Sequence, residues 1–173
     1  EIPALLQALA ADSLLDIPCG DFHWMQHTNL SGIRYIGADR VAELIAHNQR
    51  LYATAQQVFQ QVNLITGPLP RADVILCRDC LVHLPFDDVW AALDAIRVSA
   101  CQWLLTTTFT RTDANQELDT AGWRPLNLTL APFHLPAPER LIRELCTEAG
   151  GLASDKSLGL WRVSDLPTRR PSE

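Results

Sequence analysis

Apolar runs and helical stripes alternate along the chain, and this alternation predicts an α/β fold. The apolar runs carry few charged residues, as is typical of strands buried on both faces of a parallel sheet. Between them, apolar residues recur every three or four positions, which indicates amphipathic helices. The predicted strands span residues 13–17, 34–38, 58–64, 72–77, 103–109 and 158–163. The predicted helices begin at Pro3, Val41, Phe86 and Pro138, and the last one carries Leu141 and Ile142 and ends before Gly150 and Gly151.

The regular alternation is interrupted after Phe109 by the segment TRTDANQELDTAGWRPLNLTLAPFHLPAP. This segment is rich in turn formers and has no clean period, so we expect a long loop with an irregular strand. Loops of that length in a compact domain are commonly functional or mobile. No linker or internal repeat is visible, so we predict one domain over residues 1–166 and a flexible tail over residues 167–173.

Composition and charge narrow the classes of function. The 173 residues are 47% hydrophobic and 20% charged, with a net charge of −6, and the basic residues are scattered except for Arg169 and Arg170. Binding to a phosphate backbone favours a basic stripe, so we expect no nucleic-acid partner. No apolar run approaches the ~18 residues of a membrane helix, and the chain start lacks the basic end of a signal peptide. We therefore expect a cytoplasmic protein without a membrane partner, and the sequence indicates no protein partner.

The five cysteines are predicted to be free thiols, because their number is odd and no export signal is visible. The spacing Cys77-x2-Cys80-x2-His83 could supply soft metal ligands, with Cys19 as a candidate fourth. The alternative is that the thiols are buried as small apolar groups. We favour this alternative and predict no metal.

Polar residues follow the predicted strands where each strand ends. They are Asp16 to Asp21, Asp39, Asn63, and Arg78 to His83. Ligands of open α/β sheets bind outside the carboxyl ends of the strands. A cofactor with a cationic amine, a ribose diol and an adenine would use such a set of carboxylates and amides.

Five motifs carry a family resemblance: DIPCGDFHWM, YIGAD, VNLITGPLP, CRDCLVHLP and LLTTTFT. In this order and spacing they resemble the motifs of class I S-adenosylmethionine-dependent methyltransferases. More narrowly, the chain resembles a group with a D-x-PCGD-F-x-W-M opening and a C-terminal DKSLGLWR, here Asp155 to Arg162. The resemblance implies a Rossmann-like methyltransferase fold, with a mostly parallel sheet of seven or six strands and helices on both faces. It also implies S-adenosylmethionine as the cofactor.

The resemblance further implies roles for residues at the strand ends. Asp16 and the loop 18–21 would lie against the methionine part of the cofactor. Asp39 would accept hydrogen bonds from the ribose hydroxyls, and Asn63 would lie near the adenine. The implied cofactor-binding residues are Asp16, Pro18, Cys19, Gly20, Asp21, Trp24, Asp39, Arg40, Asn63, Leu64 and Arg78. The opening loop has one glycine where the superfamily commonly has G-x-G-x-G.

These assignments have plainer alternatives. Asp16 and Asp39 could be turn or helix-capping residues, since aspartate favours both positions. The apolar pattern around Trp24 favours a place in the core, as it does for Trp90 and Trp161. A wall of the cofactor pocket is the other interpretation for Trp24.

The same resemblance places Asp79 beside the methyl-transfer cleft, just after the fourth predicted strand. Asp79 and His83 are the two candidate catalytic bases, and a histidine side chain can accept a proton near neutral pH. His83 could instead cap the following helix or order the loop. In the long loop, Arg111, Trp123 and Arg124 predict an anionic or planar acceptor, with solvated surface arginines as the alternative.

We therefore predict an S-adenosylmethionine-dependent methyltransferase that acts on a small molecule by O- or N-methylation. The alternative is a non-catalytic binding module that retains the fold. The sequence lacks the G-x-G-x-x-G of a nicotinamide-dependent oxidoreductase and the G-x-S-x-G of an α/β-hydrolase.

Overall fold

In the computed structural model, the strands join into one mixed sheet. The structure describes residues 1–118, 122–144 and 153–169. The strands are β1 (Ser13–Asp16), β2 (Arg34–Asp39), β3 (Gln57–Gln61), β4 (Val74–Cys77), β5 (Trp103–Phe109), β6 (Arg140–Arg143) and β7 (Lys156–Arg162). The α-helices are α1 (Ile2–Ala8), α2 (Ala42–Tyr52) and α3 (Phe86–Val98), and short 3-10 turns lie at Met25–His27, Leu81–His83 and Val163–Asp165. None of the helices in the described ranges is long and apolar enough to cross a membrane.

The sheet has the strand order β3-β2-β1-β4-β5-β7-β6. Strands β1 to β5 pair in parallel, whereas β7 pairs antiparallel with both β5 and β6. The predicted α/β fold with a mostly parallel sheet is therefore confirmed. The order reverses between β1 and β4, because the chain leaves β1 toward β2 on one side and continues from β4 to β5 on the other.

The central strands are buried on both faces, which explains their unbroken apolar sequence. Neighbouring residues of β1 point in opposite directions: Leu15 belongs to a cluster with Trp90 and Leu93 of α3, and Leu14 to one with Leu5 of α1. Every residue of β1, β4 and β5 is buried. Helices thus cover both faces of the sheet, as predicted.

The prediction of a helix from Pro138 is wrong for the part that the structure describes. Residues Arg140–Arg143 form strand β6 at the edge of the sheet, with Ile142 buried and its neighbours Leu141 and Arg143 exposed. This alternation has the period of a strand, and a run of one buried position in four is too short to show it in the sequence. Residues 145–150 of the predicted helix, with Cys146, and Gly151 after it lie outside the described residues.

The long segment after β5 is a loop without regular strands in its described part, and it packs into the core. Leu126, Leu128 and Phe133 are fully buried. The side-chain amide of Asn115 donates hydrogen bonds to the carbonyl oxygens of Asn127 and Ala131, both at 2.8 Å. These bonds connect the first part of the loop to its later part. Of the predicted tail, residues 170–173 lie outside the described ranges, and Arg169 pairs with Asp87 on α3 at 2.7 Å.

Candidate functional site

A cavity of about 380 Å³ opens at the carboxyl ends of the strands, where the strand order reverses. We call it the strand-end cavity. Crevices at this position bind ligands in open α/β sheets, and this volume lies within the usual range for small-molecule sites. Seven of the sequence-predicted site residues line it: Pro18, Asp39, Arg40, Asn63, Leu64, Asp79 and His83. The structure therefore brings together residues that are up to 65 positions apart, from Pro18 to His83.

Asp39, the last residue of β2, faces this cavity and also organises its wall. One carboxylate oxygen accepts from the backbone N–H of Gly20 at 3.2 Å, and the other accepts from the N–H of Val41 at 2.9 Å, just before α2. Gly20 has a positive φ of +55°, a left-handed conformation that glycine adopts without strain. Asp39 is thus both a turn residue, as its plainer interpretation holds, and a buried carboxylate at the cavity.

The opening loop 17–21 is held from behind by α2. Asn48 is fully buried on that helix, and its amide nitrogen donates to the carbonyl oxygen of Gly20 at 2.8 Å. Sequence reasoning missed Asn48, although an asparagine among the inward-facing positions of an amphipathic helix is a usable signal. Cys19 is buried, and its N–H donates to the carbonyl oxygen of Ala38 at 2.8 Å.

Asp16 lies away from the lining of the cavity, although it ends β1. Its carboxyl group is buried and accepts a hydrogen bond from the hydroxyl of Tyr35 at 2.7 Å. Burial raises the pKa of Asp16 to about 7, with the hydrogen bond from Tyr35 acting in the opposite direction. This aspartate contacts the protein interior, and the sequence alone did not distinguish it from Asp39.

Asp79 belongs to a cluster of four charged residues, which we call the charge cluster. Its carboxylate lies 2.6 Å from the amine of Lys156 and 3.3 Å from the guanidinium of Arg78. Glu144 completes the cluster, at 2.6 Å from Arg78 and 3.5 Å from Lys156. The backbone N–H of Asp79 donates a hydrogen bond to the hydroxyl of Thr107 at 2.8 Å. The backbone and the carboxylate of Asp79 are therefore both held by neighbouring side chains. Sequence reasoning assigned no role to Lys156 or Glu144.

The guanidinium of Arg78 also lies over the ring of Trp24, 5.1 Å from its centroid. Trp24 is 37% exposed, so its predicted place in the core is wrong, whereas Trp90 and Trp161 are buried as predicted. Asp21 is exposed and accepts from the N–H of His23 at 3.0 Å. Neither Trp24 nor Asp21 lines the strand-end cavity.

His83 ends the short turn after β4 and lines the cavity. Its ring atom Nδ1 lies 2.7 Å from the carbonyl oxygen of Gly122. A carbonyl oxygen only accepts, so Nδ1 carries the hydrogen, and Nε2 of the neutral ring keeps a lone pair that can accept a proton. The loop thus fixes the tautomer that a base needs.

The loop residues predicted to bind the acceptor are not brought to this cavity. Arg124 is buried, and its guanidinium donates to the carbonyl oxygens of Leu81, Val82, Leu84 and Gln116 at 2.7–3.2 Å. Arg111 and Arg124 line a second cavity of about 450 Å³, and the 40% exposed Trp123 packs edge-on against Phe109. Arg124 therefore ties the loop to the turn after β4, a structural role for which its sequence context gave no signal.

The thiols of Cys19, Cys77, Cys80 and Cys101 are free. Cys77 is buried, whereas Cys80 is half-buried and lines the strand-end cavity. Within the described ranges, no three side chains of histidine, cysteine, aspartate or glutamate are grouped so that they could hold a metal ion.

The sheet order, the antiparallel β7 and the polar cavity at the strand ends together define a Rossmann-like methyltransferase fold. The family comparison agrees with this class. A family model described as "Methyltransferase domain" matches residues 1–153, and the chain belongs to this family. A direct sequence comparison with curated proteins finds no match.

Solved structures share the fold at low sequence identity. Human N-acetylserotonin methyltransferase in complex with SAM is 14% identical with a TM-score of 0.63, over 89% of this chain and 48% of that one. CalO1, a methyltransferase in calicheamicin biosynthesis in an SAH-bound form, is 18% identical with a TM-score of 0.59, over 86% and 47%. Magnesium protoporphyrin IX methyltransferase from Synechocystis PCC 6803 with bound SAH is 19% identical with a TM-score of 0.51, over 65% and 54%. The chain thus spans about half the length of these structures.

Proposed function

We propose that this protein is an S-adenosylmethionine-dependent methyltransferase that transfers the methyl group to an oxygen or nitrogen of a small-molecule acceptor. The observation that carries the proposal is the buried carboxylate of Asp39, which lies at the end of β2 in a cavity shared with Asn63 and His83. Membership of the methyltransferase family and the SAM or SAH named for the similar structures support it.

The residues of the strand-end cavity fit the proposed cofactor in chemistry. A carboxylate such as Asp39 accepts hydrogen bonds from a vicinal diol, and Asp39 has lone pairs beyond those used by Gly20 and Val41. Asn63 and Leu64 line the same cavity, offering an amide and an apolar surface for a base. The carboxylate of Asp39 would favour a cationic ligand, whereas the carboxylate of Asp79 is already paired with Lys156 and Arg78.

When bound, S-adenosylmethionine supplies an electrophilic methyl group, so the protein needs chiefly to position the acceptor and to remove its proton where required. We propose that His83 receives that proton at Nε2, because the carbonyl oxygen of Gly122 engages the opposite nitrogen. Asp79 already accepts from Lys156 and Arg78, and we assign it the role of a positioning anion at the cavity. Trp24 and Arg78, which contact each other outside the lining of the strand-end cavity, remain proposed contacts of the cofactor.

Arg111 is the remaining candidate for recognition of an anionic acceptor. The guanidinium of Arg124 donates to backbone carbonyl groups. The backbone N–H of Arg111 donates to the carboxylate of Asp155, but its guanidinium forms no ion pair within the part of the chain that the structure describes. We therefore propose that Arg111, which lines the second cavity, and Trp123 of the same loop contribute to the acceptor site.

The test is a mass-spectrometric assay that follows SAH production from S-adenosylmethionine with a panel of small anionic and phenolic acceptors. We expect turnover with at least one acceptor, and a loss of about 100-fold or more in kcat for His83→Ala. His134→Ala, which removes an imidazole outside this cavity, is the matched control and should retain activity. Cofactor binding without turnover on any acceptor would instead favour a non-catalytic binding module.

A further inference from the structure

One loop segment, residues 122–124, holds His83 by both its side chain and its backbone. The carbonyl oxygen of Gly122 lies 2.7 Å from Nδ1 of the His83 ring. Two residues further along the same segment, Arg124 donates hydrogen bonds to the backbone on either side of His83. The imidazole and the peptide groups next to it therefore depend on the same short piece of loop.

The guanidinium of Arg124 contacts the residues immediately before and after His83. Its Nη1 donates to the carbonyl oxygens of Leu81 and Val82 at 3.2 and 2.9 Å, and its Nη2 donates to that of Leu84 at 2.7 Å. The backbone N–H of Arg124 also donates to the carbonyl oxygen of Val82, at 3.2 Å. These bonds fix the direction of the backbone from which the His83 side chain projects.

The carbonyl groups of this turn need donors from outside it. Leu81–His83 is a single 3-10 turn, and the last carbonyl groups of a helical turn have no partner within the turn. Leu81 and Val82 are buried, so a carbonyl group left without a donor here would be unfavourable. Arginine suits this place because its planar guanidinium presents several N–H donors in a fixed fork, whereas the amine of lysine is a compact charge.

Arg124 acts at this place as a hydrogen-bond donor. It is 5% exposed and forms no ion pair within residues 1–118, 122–144 and 153–169. Its Nε donates to the carbonyl oxygen of Gln116 at 2.8 Å, and its guanidinium carbon lies 5.2 Å from the centroid of the Phe86 ring. The loop, the turn after β4 and the start of α3 thus meet at one side chain.

We propose that Arg124 is a positioning residue for His83, which keeps the imidazole in the tautomer that carries its hydrogen on Nδ1 and leaves Nε2 able to accept a proton. Loss of the guanidinium fork releases the turn 81–84 from the loop that carries Gly122, so the hydrogen bond at Nδ1 weakens. The ring then populates both tautomers, and only one of them offers Nε2 as an acceptor. The positioning of the ring stands by itself, whereas its effect on turnover rests on the proposed role of His83 as the base.

The first experiment measures the ring nitrogen shifts of His83 by NMR of ¹⁵N-labelled protein at about pH 8, where an ordinary imidazole is neutral. His83→Ala identifies the signals. We expect the Nδ1–H tautomer in the wild type and a mixture of tautomers in Arg124→Lys, which keeps the charge and loses the fork. Arg124→Gln should give the same mixture. Arg97→Lys, an exposed arginine on α3, is the matched control and should keep the wild-type pattern, with circular dichroism confirming that each variant is folded.

The second experiment is a double-mutant cycle on kcat, with an acceptor that the protein methylates. We expect Arg124→Lys to lower kcat about tenfold when His83 is present, because small displacements of a catalytic group are costly. In the His83→Ala background the same substitution should lower kcat less than about twofold, because Arg124 acts through His83. An effect of Arg124 on the fold alone would lower kcat by the same factor in both backgrounds.

The outcomes separate this inference from the proposed function. The wild-type tautomer in the folded Arg124→Lys and Arg124→Gln variants, or equal losses of kcat in both backgrounds, would overturn the positioning role. A mixture of tautomers in Arg124→Lys with unchanged kcat would support the positioning of the ring and count against His83 as the base. The NMR measurement needs no turnover, so it tests the inference independently of the acceptor.

Discussion

Two aspartates at strand ends look alike in the sequence and differ in the structure. Asp39 lies in the cavity lining and accepts from two backbone N–H groups. Asp16 is buried against Tyr35, whose hydroxyl is its hydrogen-bond donor. A carboxylate without a compensating cation or several donors is costly to bury. Asp16 therefore makes the stability of the fold sensitive to pH, while Asp39 contributes to the binding site.

The sign of the pH dependence that Asp16 gives to the free energy of unfolding can be predicted. Burial raises its pKa from 3.8 to about 7 in the folded protein, so the folded state keeps a proton that the unfolded chain releases. The contribution of Asp16 to the free energy of unfolding therefore falls as the pH rises from about 4 to about 7 and is constant above that range. Asp16→Asn abolishes this titration and preserves an acceptor for Tyr35. We expect its stability relative to wild type to rise by roughly 2 to 3 kcal/mol between about pH 5 and about pH 8.

Urea unfolding at both pH values measures this difference directly. Asp94→Asn removes a half-buried carboxylate on α3 that pairs with Arg97 and is the matched control, for which we expect little change with pH. Equal pH dependence of wild type and Asp16→Asn would show that Asp16 does not titrate in this range.

Asn48 is the side chain that holds the opening loop from behind. Asn48→Ala leaves the carbonyl oxygen of Gly20 without this donor in a buried place, so we expect a loss of about 1–3 kcal/mol in the free energy of unfolding. Arg50→Ala on the exposed face of the same helix should change it by less than about 0.5 kcal/mol. Denaturant unfolding of both variants provides the measurement, and equal stabilities would contradict this role for Asn48.

At the scale of elements, the charge cluster joins the start of β7 to the turn after β4. Lys156, the first residue of β7, is 8% exposed and reaches Asp79, which is 77 positions away in the sequence. Thr107 of β5 binds the backbone of the same turn. The antiparallel end of the sheet thus supports the geometry of the cavity formed by the parallel strands.

The substitution Lys156→Met tests the connection between β7 and the turn after β4. Removing the amine leaves the carboxylates of Asp79 and Glu144 with Arg78 alone, and breaking a buried pair costs ~3–5 kcal/mol. Asp79 is 34% exposed, so solvent screens part of the effect and we expect a loss of about 1–3 kcal/mol. Arg162→Met breaks an exposed ion pair with Glu139 and a contact of the guanidinium with the ring of Trp103, and it is the matched control, with an expected cost of about 1 kcal/mol. Urea unfolding would contradict the coupling if both variants lost the same amount.

Gly159 of β7 packs against the ring of Trp161, where there is no room for a larger side chain. A Cβ at this position would overlap the ring of Trp161, whose indole N–H donates a hydrogen bond to the carbonyl oxygen of Pro136 at 2.7 Å. Gly159→Ala therefore forces the indole to move, and we expect a loss of about 1–3 kcal/mol. Near-ultraviolet circular dichroism reports the ring and thermal unfolding reports the loss, and an unchanged melting temperature would contradict the close packing.

At the scale of the whole molecule, the central parallel strands were predictable because they are buried on both faces. The apolar runs of β1, β4 and β5 reflect that burial directly, and the polar residues after β1, β2 and β4 marked the edge where the cavity opens. Strand β6 was not predictable, since a single buried residue between exposed ones is too short a run to show the period of a strand in the sequence.

The side-chain contacts between distant parts of the chain could also not be predicted from the sequence. Arg124 resembled a solvated loop arginine, yet its guanidinium binds carbonyl groups more than 39 positions away in the turn after β4. Lys156 stood in a recognisable motif without a stated role, because its partner Asp79 is set by the pairing of β4, β5 and β7. Local pattern predicts which elements form, and tertiary contact decides which polar groups meet.

The most direct test of the central claim is calorimetric titration of the protein with S-adenosylmethionine and SAH, repeated for Asp39→Ala and Asp39→Asn. We expect binding in the micromolar range, weakened at least about tenfold by Asp39→Ala and less by Asp39→Asn, which keeps one oxygen acceptor. Asp94→Ala is the control and should bind as the wild type does, with circular dichroism confirming that every variant is folded. Absence of binding for both ligands, or equal affinity for a folded Asp39→Ala variant, would contradict the assignment of the strand-end cavity as the cofactor site.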